Sequence, residues 1–239
     1  MELQQLQKKI HSCFSDLLFD SERHMYFLHG ESLPSVSRLI EEHYPPFNTE
    51  AILPLSAKKQ GISVKDLRDK WQRTNIDACE LGHTTHDFLE IYDGSQTPQL
   101  PQQIAGIKFF KHILVEYEIV CREIRMYSRK FKYAGTADLL LRHKKTGKLV
   151  LADYKTNKDL WKSYNNMFYP FHYLESSPYN HYQLQLSYYQ MMLEEQGFEI
   201  DNRILAYLQS DEEFEIFELV SFTDDLIEHM ESKKVELLW

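Results

Sequence analysis

Apolar residues near the start of the chain, Leu3, Leu6, Ile10, Phe14, Leu17 and Leu18, recur at helical spacing. They predict an amphipathic helix over residues 2–19. The next segment, RHMYFLHGESL, reads as a hairpin turning near Gly30. Ser35 or Ser37 opens a helix that must stop before Pro45 and Pro46, and a short helix is expected from Thr49 to Lys59. Ser63, with Asp66 three residues on, forms an N-cap pair. It opens a long helical stretch, with a break expected near Asn75, that runs to Tyr92. Asp93–Gly94 ends that stretch, SQTPQLP is a loop, and residues 102–117 are helical.

The period then changes. EIVCREIRMYS, KYAGTADLLLRH and KLVLADYK alternate or run apolar with β-branched content, and read as three consecutive strands. A turn at Lys144–Gly147 joins the last two. A helix from about Tyr179 to Gln196 ends at Gly197. RILAYLQ and EIFELVSF are two further strands, and residues 223–235 form a closing helix. This order predicts an α/β fold: a mixed central sheet flanked by helices, with an N-terminal helical extension. No repeat, low-complexity tract or linker divides the 239 residues. A single domain is expected, mainly helical over 1–100 and with its sheet core over 115–220.

Composition narrows the class. An apolar share of 43 % and an aromatic share of 13 % allow a sizeable core, and eight Gly and eight Pro are too few for a fibrous or disordered chain. No apolar run is long enough to span a membrane, and charges interrupt the N-terminal segment where a signal peptide is apolar. A cytoplasmic protein without a membrane partner is expected. Cys13, Cys79 and Cys121 stand far apart with no C-x-x-C. They cannot alone supply a cysteine zinc site or a four-cysteine iron–sulfur cluster, and read as small buried hydrophobes.

The net charge of −9 argues against a general nucleic-acid coat, but it hides an asymmetry. From Arg122 to Lys148 nine Lys/Arg face only Glu123 and Asp138, a net of +7. From Gln190 to Trp239 fourteen Asp/Glu face three cations, a net of −11. The basic block is either a local polyanion contact or a solvated hairpin with lysine-rich edges.

Chemistry concentrates in GTADLLLRHKKTGKLVLADYKT. The turn folds Asp138 and Asp153 onto an antiparallel pair of strands. Two carboxylates buried at one end of a sheet repel unless a cation or a proton compensates. A hard divalent cation does so, since Mg²⁺ takes one or two carboxylates with water and phosphate. Lys155, two residues past Asp153, shares its strand face and can orient a water or steady developing charge. Tyr154 between them points away, but its backbone carbonyl can reach a metal. Without a metal the same residues are two strand-end aspartates and an exposed lysine. Upstream, His86 and Glu90 share a helix face, with His83 close to it, and a histidine there is either a ligand or structural. Gln185 and Tyr189 share a face four residues apart. That spacing suits a phosphate or base contact and equally suits ordinary packing.

Taken in order, these motifs resemble the PD-(D/E)XK nuclease superfamily, in its RecB-type, Cas-associated or phage-exonuclease-like branch. The resemblance rests on Gly82 and His86 in ELGHTTHDFLE, Gly135 and Asp138 in YAGTADLL, Asp153 and Lys155 in LADYKT, and Gln185 and Tyr189 in QLSYY. PSVS at Pro34–Ser37 adds to it, so that it spans roughly residues 20–190. It implies a restriction-endonuclease-like core and a metal-dependent deoxyribonuclease, exonuclease-like, serving DNA recombination, repair or phage DNA processing. It implies that His86, Asp138, Asp153 and the Tyr154 carbonyl hold Mg²⁺ or Mn²⁺, and that Lys155 positions the attacking water. Glu123 would hold a second metal or a water, and Gln185 and Tyr189 would brace the site or contact DNA. Some relatives carry an iron–sulfur cluster that this chain cannot form. No helicase motif is present, so a helicase or recombination partner would be a separate protein.

Two other classes fit parts of the pattern. A catalytically idle nucleic-acid-binding module of the same fold should lose a metal carboxylate or the lysine, and all three are present. A metal phosphohydrolase acting on small substrates needs neither the basic hairpin nor the rings of Tyr164, Phe168, Tyr169, Phe171 and Tyr173. Those rings either stack unpaired bases or form a core under a loop.

Overall fold

The computed structural model describes residues 1–236. Helix α1 (Leu3–Cys13) leads into a three-stranded antiparallel meander of β1 (Leu17–Asp20), β2 (Met25–Leu28) and β3 (Glu31–Leu33). The expected N-terminal helix therefore stops six residues early. Leu17 and Leu18 fit a helical stripe by spacing, but they pair with Leu28 and Phe27 across β1–β2. A short apolar run of this kind is read by its partner rather than by its own period. The hairpin expected at Gly30 is the second half of this meander.

Helices α2 (Val36–Glu41), α3 (Thr49–Gln60), α4 (Val64–Ile91) and α5 (Pro101–Ile113) follow. Ser35 caps α2, Asn48 caps α3 and Ser63 caps α4, each accepting a backbone N–H of the first turn; each cap contributes about 1 kcal/mol. Gly61, at φ 67°, ends α3 in the left-handed conformation that glycine takes without strain. α4 runs through Asn75 without a break. Leu53, Ala57, Leu67 and Trp71 tie α3 to the start of α4 in a small cluster of their own.

The main sheet has the order β4 (Tyr117–Ser128), β5 (Tyr133–His143), β6 (Leu149–Lys155), β7 (Ile200–Leu208), β8 (Phe214–Glu218). All neighbours are antiparallel except β6 and β7. That parallel pair requires a crossover, which α6 (Pro178–Glu195) supplies; α7 (Thr223–Glu236) closes the fold. The sheet is thus mixed and helix-flanked, as the pattern predicts. Leu89, Phe109, Phe110, Leu139, Leu141 and Tyr154 pack together in one core, and α6 packs with Leu140, Leu151 and Leu205 in another. No helix among the described residues is long and apolar enough to cross a membrane.

Of the three cysteines only Cys121 is buried; Cys13 is half-buried and Cys79 is exposed, so the reading of all three as buried hydrophobes is corrected. Cys79 lies on α4 and lines an open cavity, which leaves it exposed.

Gly135 on β5 is required by a close approach. A Cβ there would lie 2.7 Å from Cε1 of Tyr189 and 3.0 Å from Cγ2 of Val36, both buried. Gly135→Ala is expected to destabilise the fold by about 1–3 kcal/mol through overpacking. Thermal melting checks this, at roughly 2–4 °C per kcal/mol for a chain of this size. An unchanged melting temperature would mean that Tyr189 can move aside.

Candidate metal centre

Three carboxylates line up across three strands. The β5–β6 ladder pairs Leu139 with Ala152, Leu140 with Leu151 and Leu141 with Val150. One further step in that register sets Asp138 opposite Asp153, where the regular pairing ends. The β4–β5 ladder pairs Ile124 with Ala137 and Arg122 with Leu139, which sets Glu123 opposite Asp138. Glu123 has φ 44°, in the left-handed region that a glutamate adopts at a cost. Strain of this kind, of order 1–3 kcal/mol, persists where surrounding structure enforces it. The adjacent Arg122 does so: its Nη1 donates to the carbonyls of Leu89, Glu90 and Tyr92 at the end of α4, and the guanidinium lies over the ring of Phe110. Arg122 thereby fastens β4 to the helix that carries His86.

His86 reaches the row from α4. Its Nδ1 is 3.4 Å from Asp138 Oδ1 and 3.9 Å from Glu123 Oε1. Ligand atoms of His86, Glu123 and Asp138 all lie within 4.8 Å of one another. Asp138 Oδ2 accepts the Tyr154 backbone N–H at 2.9 Å. In an extended strand a residue's carbonyl leaves on the same edge as its N–H, so the Tyr154 carbonyl also faces Asp138. The Tyr154 ring packs in the core, edge-on to His86. Asp153 is 1 % exposed, and Lys155 Nζ sits 2.6 Å from its Oδ2. Apart from that ion pair, neither Asp153 oxygen receives an aligned hydrogen bond, and Glu123 Oε1 receives none. Buried carboxylate oxygens without donors are what a cation site presents.

The charges of the cluster follow from this packing. Burial and the neighbouring Asp138 push Asp153 up to about 7, against the pull of Lys155. Burial alone would raise Asp138 too, yet His86, Lys155 and the Tyr154 N–H hold it below the usual carboxylate range. Burial raises Glu123. Burial opposes protonation of His86 and Lys155, but the carboxylates outweigh it: His86 is raised to about 10 and Lys155 rises above the ordinary lysine range. Without a metal, an imidazolium and an ammonium offset part of the row's negative charge. With one, His86 must give up its proton to coordinate.

The cluster opens into a cavity of about 510 Å³ lined by His86, Glu123, Asp138, Lys155, Gln185 and Tyr189, among others. The structure thus brings together His86, Glu123, Asp138, Lys155, Gln185 and Tyr189, whereas Asp153 and Tyr154 are buried and do not line the cavity. Gln185 Nε2 donates to the Tyr189 hydroxyl at 2.8 Å, so this pair braces itself. His83 and Glu90 line the cavity but remain exposed, outside the ligand cluster. Sequence reasoning missed Tyr182, whose ring faces Lys155 Nζ at 5.0 Å and whose hydroxyl donates to Asn157. The spacing of Tyr182, Gln185 and Tyr189 along one face of α6 carried that signal. It also missed Glu123's backbone conformation, for which no local signal exists.

The basic block is largely paired within the fold, and the lysines of its turn stay exposed. Six of its nine cations have partners in the protein. Besides Arg122, Arg129 pairs with Asp16, Lys130 with Glu231, Arg142 with Glu118 and Lys148 with Asp201, and Lys144 donates to the Leu114 carbonyl. Glu231 and Asp201 belong to the acidic C-terminal stretch, so part of the charge asymmetry cancels within the fold. The Lys144–Gly147 turn lies roughly 20 Å along β5 from Asp138, at about 3.3 Å per residue. Only Arg125 of the nine lines the cavity.

No protein-family model and no curated protein matches the chain. A solved structure, "Crystal structure of SSO0001", is similar with 15 % identity and a TM-score of 0.40 over 99 % of this chain and 87 % of that one. A likeness at that level carries no argument about function.

In metal-free protein His86 is expected to titrate near pH 10 rather than near 6.5. Its raised pKa contributes stability that is complete below about pH 6.5 and lost as pH rises through about 10. Asp153 acts in the same direction over a lower window: its raised carboxyl pKa makes ionisation cost stability as pH rises from the ordinary carboxylate range to about 7, above which the cost is complete. Imidazole proton shifts followed by NMR in excess chelator check the histidine. A midpoint in the ordinary range would remove Asp138 and Glu123 as its partners.

Proposed function

We propose that the chain is a divalent-metal-dependent deoxyribonuclease that hydrolyses phosphodiester bonds at the carboxylate row. The observation that carries this reading is the meeting of His86, Glu123 and Asp138 ligand atoms beside a buried Asp153–Lys155 pair. One face therefore offers hard oxygen donors, an imidazole and a cation. Mg²⁺ and Mn²⁺ suit such a set. The order of the motifs, which resembles that of PD-(D/E)XK nucleases, supplies the nucleic-acid part of the reading.

His86, Glu123, Asp138 and the Tyr154 carbonyl would hold the ion, with Asp153 beside them. When bound, it supplies positive charge to phosphoryl oxygens as their negative charge grows. Lys155 holds the attacking water by its ammonium group, and Asp153 fixes that ammonium in place. Water oxygen bonds to phosphorus as the bond to the 3′-oxygen breaks; the water loses a proton to solvent and the leaving 3′-oxygen takes one from solvent, giving a 5′-phosphate and a 3′-hydroxyl. Gln185 and Tyr189 keep the wall of the cavity rigid behind the reacting groups.

DNA incubated with Mg²⁺ or Mn²⁺ is expected to be cleaved, and excess EDTA is expected to abolish cleavage. Asp153→Asn is expected to lower the rate by orders of magnitude. DNA affinity without metal should hold or rise, because a carboxylate near the scissile phosphate is removed. Rate, metal-free affinity and melting temperature measured on one preparation separate this pattern from misfolding. Near wild-type cleavage by a folded Asp153→Asn protein, or undiminished cleavage in chelator, would end the assignment.

A further inference from the structure

Among the basic residues, Arg125 stands apart. It is exposed at the cavity, and no carboxylate of the described residues lies in ion-pairing reach of it. Its guanidinium is held 4.8 Å over the ring of Phe19, a contact that orients the group and leaves its N–H fork unused. The ladder places Arg125 opposite Thr136, whose hydroxyl is tied to Tyr26 at 2.8 Å. Thr136 precedes Asp138 by two residues and shares its strand face. Arg125 therefore lies one pleat repeat from the carboxylate row, about 7 Å along the strand at roughly 3.4 Å per residue.

The other charges of the cavity are accounted for. His86 and Lys155 are taken up by the row, while Asp87 and Glu90 from α4 add negative charge to the same cavity. A polyanion entering such a cavity needs a cation that the protein has not already used. A guanidinium with an open fork and fixed orientation matches a phosphate, on which it can make two parallel hydrogen bonds.

We propose that Arg125 binds the backbone phosphate adjoining the one cleaved at the carboxylate row, and so sets where the strand lies. This rests on the phosphodiester-cleaving reading of the metal centre. Arg125 is then a positioning residue for the strand, and the lysine-rich turn at Lys144–Gly147 takes no part.

Arg125→Gln, Arg125→Lys and Lys145→Gln proteins are compared with wild type on single-stranded and duplex oligodeoxynucleotides. Cleavage is followed in Mn²⁺, binding in EDTA across a salt series, and Mn²⁺ affinity by calorimetry. Arg125→Gln is expected to weaken KM and metal-free Kd about tenfold, with the loss falling on KM rather than kcat. The slope of log K against log salt should fall by about 0.9 on duplex, or about 0.7 on single strands. Mn²⁺ affinity and melting temperature should be unchanged, and Arg125→Lys should restore part of the binding. Lys145→Gln removes the same charge from the same basic block and should bind as wild type does. An unchanged slope in Arg125→Gln, or an equal loss in Lys145→Gln, would overturn the role of Arg125 while leaving the nuclease reading intact. Wild-type protein that neither binds nor cleaves would overturn both.

Discussion

Repulsion among Glu123, Asp138 and Asp153 is the constraint around which this fold is arranged. Adjacent positions on three neighbouring strands carry carboxylates, where a sheet ordinarily places apolar residues. Burying them without compensation would cost several kcal/mol each. The sheet accommodates them because β5 and β6 stop pairing at Leu139 and Ala152, one step before the acids meet. Two cations brought from elsewhere, His86 on α4 and Lys155 on β6, supply the balance. Neither saturates the row, since Asp153 Oδ1 and Glu123 Oε1 still lack a donor.

Much of the surrounding architecture serves to hold that arrangement. Arg122 joins the C-terminal end of α4, the helix that carries His86, to β4 next to the left-handed backbone of Glu123. Gly135 lets Tyr189 lie against β5, so that α6 closes the cavity wall with a self-braced amide and phenol. The three-stranded meander contributes Phe19 and Tyr26, which orient groups at the mouth of the cavity.

The strands β4, β5 and β6, their turn and the Asp138–Asp153 juxtaposition are legible in the sequence. They depend on local period and on one tight turn. Helices with strong caps, such as α4 from Ser63, are legible for the same reason. The boundary between α1 and β1 is not, because Leu17 and Leu18 satisfy both periods and only pairing with β2 decides between them. Glu123 is identifiable as an acid near the site, but its positive φ arises from tertiary contacts. The basic block misleads for a related reason: composition counts charges without their partners, and Asp16, Glu118, Asp201 and Glu231 come from distant parts of the chain.

The central claim is that this row of carboxylates takes up a divalent cation in place of a histidine proton. Calorimetry of Mn²⁺ binding at pH 8.5, in buffers of different ionisation enthalpy, tests it most directly. At that pH Asp153, pushed up to about 7, is ionised, whereas His86, raised to about 10, still carries its proton. Coordination through His86 must then release about one proton per bound ion. Release of close to one proton, reduced by Asp138→Asn together with the affinity, is the result the account predicts. Binding without proton release, or no Mn²⁺ binding at millimolar concentration, would contradict it.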